Sequence, residues 1–213
     1  MAIKIPDIND KYIPLLLEKI GTKNTPMILK VQPEKDSKIL DCFIIVEKKV
    51  DNCGGRRILG WQFWESDNLI EAEFHAVWES ETKELIDITP KELPGINETL
   101  FVIDERLIYE EKQKDNFRIN KTDNKLVDDF IAICQAIFKF ENAGERAYQY
   151  ELKLSESEKR KYQELKMLKD IYLYMISVKA NKNSPCPCRS GKKFKNCHGQ
   201  DLKIKLIGFN TKT

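Results

Sequence analysis

The string Ser184-Pro-Cys-Pro-Cys-Arg-Ser-Gly-Lys-Lys-Phe-Lys-Asn-Cys-His-Gly199 constrains the fold of this chain more than any other stretch. It sets Cys186 and Cys188 one residue apart, leaves eight residues, and closes on the adjacent Cys197 and His198. Three thiolates and an imidazole are the donor set of tetrahedral Zn2+, whose filled d shell imposes no geometry of its own. Four protein ligands leave no position for a substrate water, so the expectation is a structural metal. Gly191 permits a tight reversal between the ligand pairs, and Pro185 and Pro187 stiffen the first pair.

The Cys-Pro-Cys, the Ser-Gly-Lys-Lys, the aromatic Phe194 and the closing Cys-His-Gly resemble the SEC-C motif, known from the tail of the preprotein translocase ATPase and from many otherwise unrelated bacterial proteins. Arg189 stands where that family more often carries glycine. The resemblance implies a structural Zn2+ and a docking role toward a chaperone or the ribosome.

Charge points the same way. From Lys179 to Thr213 there are nine Lys or Arg against one acid, Asp201, so the tail carries about +8 within a chain whose net charge is +2. A basic tail on an acidic body suits an anionic partner, either an acidic protein face or nucleic acid. Lys192, Lys193 and Lys195 around Phe194 fit both. The oligomeric state is not legible.

With 213 residues, 41% hydrophobic and 33% charged, the chain has room for one sizeable core and an appendage. The acidic start and the short apolar runs predict neither a secretory signal nor a membrane span. Cys42, Cys53 and Cys134 have no framework spacing, so the cysteines fit a reducing, cytoplasmic setting.

Periodicity predicts a helix over residues 11–20 stopped by Gly21, and a short strand over 26–31. Between Ile39 and Val50 the residues Leu40, Phe43, Val46 and Val50 recur at helical spacing, whereas Ile44-Ile45-Val46 suits a strand. Helix is the preferred reading, with Asp36, Ser37 or Asp41 as N-cap and Gly54-Gly55 as the stop. Residues 57–65, 68–78 and 85–89 read as a β-meander, and 100–109 as a further strand. A charged loop over 111–124 leads to helices over 126–143 and 156–178. The expected architecture is α+β: an antiparallel β-meander domain at 1–125, a helical segment packed on it at 126–180, and a zinc module at 181–213.

His75 is the one imidazole left for chemistry in the body. In Glu71-Ala-Glu-Phe-His-Ala-Val-Trp78 strand alternation sets it on the polar face with Glu71 and Glu73. If Phe74 pairs with Ile88 and Ala76 with Ile86, His75 stands opposite Asp87; a slip of two leaves them diagonal. An imidazole oriented by a carboxylate is the base half of a nucleophilic triad. Cys42 qualifies as nucleophile if its helix begins at Asp41, because a helix N-terminus favours thiolate. Cys53 lies at the unfavourable end and Cys134 reads as core.

The order helix Cys, strand His, next-strand Asp, with His-x-x-Trp followed by Ile-Asp-Ile-Thr-Pro, resembles the transglutaminase-like and papain-like thiol enzymes. That resemblance implies Cys42 as nucleophile, His75 as base, Asp87 as its orienter, and hydrolysis or transfer at an amide or thioester; Gln32 is the candidate oxyanion donor. The alternative is a non-catalytic zinc-binding adaptor whose basic tail does the binding. Trp61, Trp64 and Trp78 read as core rather than a stacking platform, and Glu71 and Glu73 as too thin a ligand set for a second metal.

Overall fold

The computed structural model describes residues 3–210 and is mixed α+β. The chain divides into two compact units, one within residues 2–110 and 114–119, the other within 111–113 and 120–213. No helix among the described residues is long and apolar enough to cross a membrane.

The first unit opens with α1 (Ile13–Ile20), whose Pro14 sits in the first turn, where its missing N–H costs nothing. Then follow β1 (Met27–Val31), α2 (Cys42–Cys53), β2 (Arg56–Glu65), β3 (Leu69–Glu79), β4 (Leu85–Asp87), β5 (Glu98–Ile103) and β6 (Phe117–Asn120). The helical reading of the ambiguous stretch holds: Phe43, Ile45 and Val46 turn inward, and Ile44 is left at the surface.

The strands are ordered β2-β5-β1-β4-β3-β6, and β2 also pairs with β3 from Arg56–Glu79 to Glu65–Ile70, which closes five of them into a ring. The meander forms as read, but the ring does not follow from it. β1 runs parallel to β4, Lys30 beside Ile86, and β5 bridges β1 and β2 in antiparallel fashion. The strand expected over 100–109 ends at Ile103, where Asp104 accepts from the Trp61 indole at 3.1 Å and the chain turns. β6 lies inside the expected loop.

α1 and α2 pack on the face carrying Trp61, Phe63, Ala72, Phe74 and Ala76, with the rings of Phe43 and Phe74 4.8 Å apart. A five-stranded ring has no room for a helix inside, so this face is the outer one. The alternate residues Leu29, Ile58, Val77 and Phe101 form a second cluster that lines the inside. Gly60 permits the tight packing there: a Cβ would meet Val102 O at 2.1 Å and the Phe101 ring at 2.4 Å.

The second unit contains α3 (Lys125–Glu141), α4 (Glu156–Ser177) and α5 (Leu202–Asn210). Asn124 caps α3 by accepting from Leu126 N, and Ser155 with Glu158 forms a capping box on α4. Phe140 of α3 stacks with Tyr162 of α4 at 5.7 Å. The helix α5 follows the Cys/His string and buries Leu202 and Leu206. Its Leu-Lys-Ile-Lys-Leu alternates with period two, which hides a helix from a periodicity reading.

Candidate metal centre and buried polar cluster

The stretch from Asn181 to Gln200 is held by backbone bonds rather than by a core. Cys186 N donates to Lys192 O at 2.9 Å, Phe194 N to Ser184 O at 2.8 Å, and Cys197 N to Phe194 O at 3.0 Å. These bonds fold the string into a hairpin-like loop that turns through Gly191 at φ 74°. Arg189 adopts φ 59°, the left-handed region, which is the physical reason for a glycine preference at that position.

Folding brings Cys186, Cys188, Cys197 and His198 together, with their ligand atoms all within 4.8 Å of one another. Cys186 and Cys188 Sγ are 3.4 Å apart, Cys188 and Cys197 Sγ 3.5 Å, and Cys186 Sγ lies 3.1 Å from His198 Nδ1. Thiolates about 2.3 Å from a common centre stand about 3.8 Å apart in a tetrahedron, so this donor set fits a metal ion after a small expansion. Ser190, which the sequence reading did not single out, places its hydroxyl 3.3 Å from Cys188 Sγ and 3.5 Å from Cys197 Sγ, as an outer support of the ligands. Hydrogen bonds from Ser190 draw the Cys188 thiol down to about 6, and burial pushes Cys186 up.

Phe194, between the tail lysines, is fully buried, its ring 5.0 Å from that of Tyr172 on α4. It anchors the module and offers no face to a base. Lys182 pairs with Asp129 at 2.9 Å, and Asn124 donates to Ala180 O at 2.8 Å.

In the first unit His75 points inside the ring, its centroid 6.4 Å from that of Phe101. Its Nε2 lies 3.0 Å from Asp87 Oδ2. The strand register differs from the expected one: Trp78 faces Ile86 and Glu79 faces Leu85, so continuing the ladder leaves His75 diagonal to Asp87. The turn sets this slip. Ser80 N donates to Glu84 O, Lys83 N donates to Ser80 O, and Lys83 adopts φ 68°, which makes a five-residue loop rather than a tighter reversal. The two side chains still meet because a diagonal gap is within reach of an imidazole and a carboxylate.

Asp87 has a second partner that the sequence reading missed. Lys91 Nζ donates to Asp87 Oδ2 at 2.5 Å and to Gln62 Oε1 at 2.7 Å, with its side chain only 4% exposed. Gln62 Nε2 and Trp64 Nε1 both donate to Glu73 Oε2, at 2.8 and 2.9 Å, and Thr89 N donates to Asp87 Oδ1 at 3.0 Å. The result is a continuous chain of polar groups, buried at Gln62, His75, Asp87 and Thr89 and partly buried at Trp64, Glu73 and Lys91. A lysine one residue past a proline in a loop carries no signal of burial.

Burial opposes a charged His75, but the Asp87 carboxylate and Cys42 outweigh it and lift its pKa to about 10. Burial also opposes a charged Asp87, and His75 and Lys91 overcome it, holding that carboxyl well below its usual range. The pair is therefore an imidazolium and a carboxylate at neutral pH.

Cys42 is the first residue of α2 and is buried in the cluster on the outer face. Among the described residues no hydrogen bond joins it to His75, which faces the other side of β3. Cys53 is exposed at the helix end, and Cys134 is half-buried on α3. The three indole N–H groups bond within the protein, Trp61 to Asp104, Trp64 to Glu73 and Trp78 to Gly54 O. The tryptophans are packing residues.

Residues 183–200 match the SEC-C motif, so the chain carries that motif with a Cys/His cluster able to hold a metal ion. Two curated proteins are similar over a short stretch. Protein translocase subunit SecA of Parabacteroides distasonis is 67% identical over 24 residues, 11% of this chain and 2% of its own length. Protein translocase subunit SecA of Cellvibrio japonicus is 73% identical over 22 residues, 10% of this chain and 2% of its own. The chain thus spans only a small fraction of these relatives. No solved structure matches it.

Proposed function

We propose that this chain is a docking protein whose C-terminal module is folded by Zn2+ and presents a basic surface to an acidic protein partner. The observation that carries the reading is the convergence of three cysteines and a histidine, within 4.8 Å of one another, inside the residues that match the SEC-C motif. Cys186, Cys188, Cys197 and His198 would hold the ion, and it would supply a structural cross-link. The donor set favours zinc over harder cations, and free thiolates suit a reducing cytoplasm. The buried Phe194 supports a protein partner over single-stranded nucleic acid, since the aromatic that would stack on a base is committed to Tyr172.

The test is capture from a bacterial lysate by the full chain and by its Lys192→Glu/Lys193→Glu variant, with bound proteins identified by mass spectrometry. Both lysines are exposed and touch no ligand. The reading expects one acidic protein that the variant no longer retains. Capture that is the same with both forms would count against it.

A second reading, thiol hydrolysis or transfer by Cys42 with His75 and Asp87, is favoured by the 3.0 Å His75–Asp87 contact, the base-and-orienter half of such a site. It requires Cys42 to be reactive. Rapid alkylation of Cys42 by iodoacetamide at about pH 6, lost in His75→Ala, is expected on that reading. Labelling only after unfolding would make Cys42 a core residue.

A further inference from the structure

Several groups of residues stand outside the docking reading. The chain of polar groups around His75 is spent on its own hydrogen bonds, Cys53 is a lone thiol, and nothing in the structure shows what covers the exposed apolar residues of α4 and α5. The unequal exposure of the three cysteines in the metal centre carries an inference.

Cys186 is buried, Cys197 half-buried and Cys188 exposed. An oxidant arriving from solvent therefore reaches Cys188 first and Cys186 last. Cys188 Sγ stands 3.5 Å from Cys197 Sγ and 3.4 Å from Cys186 Sγ, and a disulfide needs about 2.0 Å, so either partner is within a small movement. The two bridges are not equivalent. Cys186–Cys188 would close across the single residue Pro187, whose ring fixes φ, whereas Cys188–Cys197 spans a loop that already reverses at Gly191. The Ser190 hydroxyl lies 3.3 Å from Cys188 Sγ and 3.5 Å from Cys197 Sγ, beside the pair that the loop favours.

We propose that Cys188 and Cys197 form a peroxide-sensitive pair whose oxidation to a disulfide dismantles the metal centre and with it the docking module. This rests on the docking reading and adds its regulation. Cys188 Sγ attacks a peroxide, breaks the O–O bond and becomes a sulfenic acid, and water or an alcohol leaves. Cys197 Sγ then attacks Cys188 Sγ, the S–S bond forms, and water leaves. Two electrons pass from the two sulfurs to the peroxide. The protons that complete the departing oxygens come from the thiols or, where a metal holds them as thiolates, from water.

The bridge removes two of the four ligands, and Cys186 and His198 alone do not make a structural site. Between Asn181 and Gln200 only Cys186 and Phe194 are buried, so the loop has little to fall back on. Lys192 and Lys193 stand exposed in this loop, and the basic surface loses its fixed form when the bridge closes. A thiol reductant reverses the step, because an exposed disulfide is open to exchange.

The experiment treats the zinc-loaded full chain with excess hydrogen peroxide and follows released metal with a colorimetric chelator. Release of about one equivalent of zinc per chain is expected. After denaturation, two fewer of the six cysteines should react with N-ethylmaleimide, and peptide mass spectrometry should find Cys188 joined to Cys197. Dithiothreitol and added zinc should restore the metal content. Cys53→Ser removes the exposed thiol outside the module, and release from it is expected at the parent's rate. Zinc retained under peroxide, or released with the cross-link mapped to another pair, would overturn the inference. Loss of release in Cys53→Ser would also overturn it, because Cys53 would then be the resolving thiol. A chain that holds no zinc before oxidation would remove it together with the metal-folded module. Capture left unaltered by Lys192→Glu/Lys193→Glu, with peroxide-driven release intact, would remove the docking partner and leave the switch standing.

Discussion

On the proposed reading that the module is folded by one zinc ion, Cys197→Ser is expected to lower the bound metal to less than about a tenth of an equivalent per chain and to unfold the loop from Asn181 to Gln200. The module has little else to hold it. Between Asn181 and Gln200 only Cys186 and Phe194 are buried, and the rest of its order comes from backbone bonds open to water. Structural zinc in a small module supplies an apparent 10–16 kcal/mol, roughly, and three ligands recover only part of it. Metal analysis gives the stoichiometry, and hydrogen exchange gives the fold: the amides of Cys186, Phe194 and Cys197 lose their protection. A chelator should reproduce the same exchange pattern in the parent. Full protection in the metal-free variant would show that the loop folds on its own bonds.

Asp87→Asn is expected to destabilise the first unit by about 3–5 kcal/mol, because it leaves the His75 imidazolium and the Lys91 ammonium buried without their counter-charge. The pH dependence distinguishes this from mere loss of packing. His75 has a folded pKa of about 10 against an ordinary 6.5, so its contribution is complete below 6.5 and is lost as pH rises toward 10. Asp87 is shifted the other way; its contribution is present above its ordinary 3.8 and is lost as pH falls below that. Together they place the maximum between about pH 4 and 6.5. Guanidinium midpoints should decline from pH 6 to pH 9 in the parent, and that slope should flatten in Asp87→Asn. A parent whose midpoint is level over that range would mean that His75 is neutral.

The parts of this molecule that were legible in its sequence are those where local chemistry decides the outcome. The metal ligands were readable because few other roles require Cys-x-Cys followed by Cys-His. The helix at Cys42–Cys53 was readable because Phe43 and Val46 outweigh the β-branched run around them. The face of His75 followed from alternation alone. Partner choice between distant strands was not legible, since the period of β1 and β5 says they are strands and says nothing of the parallel pairing of Lys30 with Ile86. Nor was Lys91, whose burial depends on a loop returning over Gln62. The register of β4 was set by the hydrogen bonds of Ser80 and Lys83 in the turn, which no apolar pattern records.

The closed ring also has a consequence in time. β1 ends at Val31, but its neighbours β4 and β5 lie at residues 85–87 and 98–103, so its two edges stay unpaired until most of the unit has been synthesised. At about 5–20 residues per second, β1 leaves the ribosome several seconds before β5 is made. During that interval α1, the β2–β3 hairpin and α2 can form from near neighbours, whereas β1 waits for β4 and β5. Closure is therefore a late, long-range step, and the Met27–Val31 segment is the part of the nascent chain most exposed to pairing with the wrong edge.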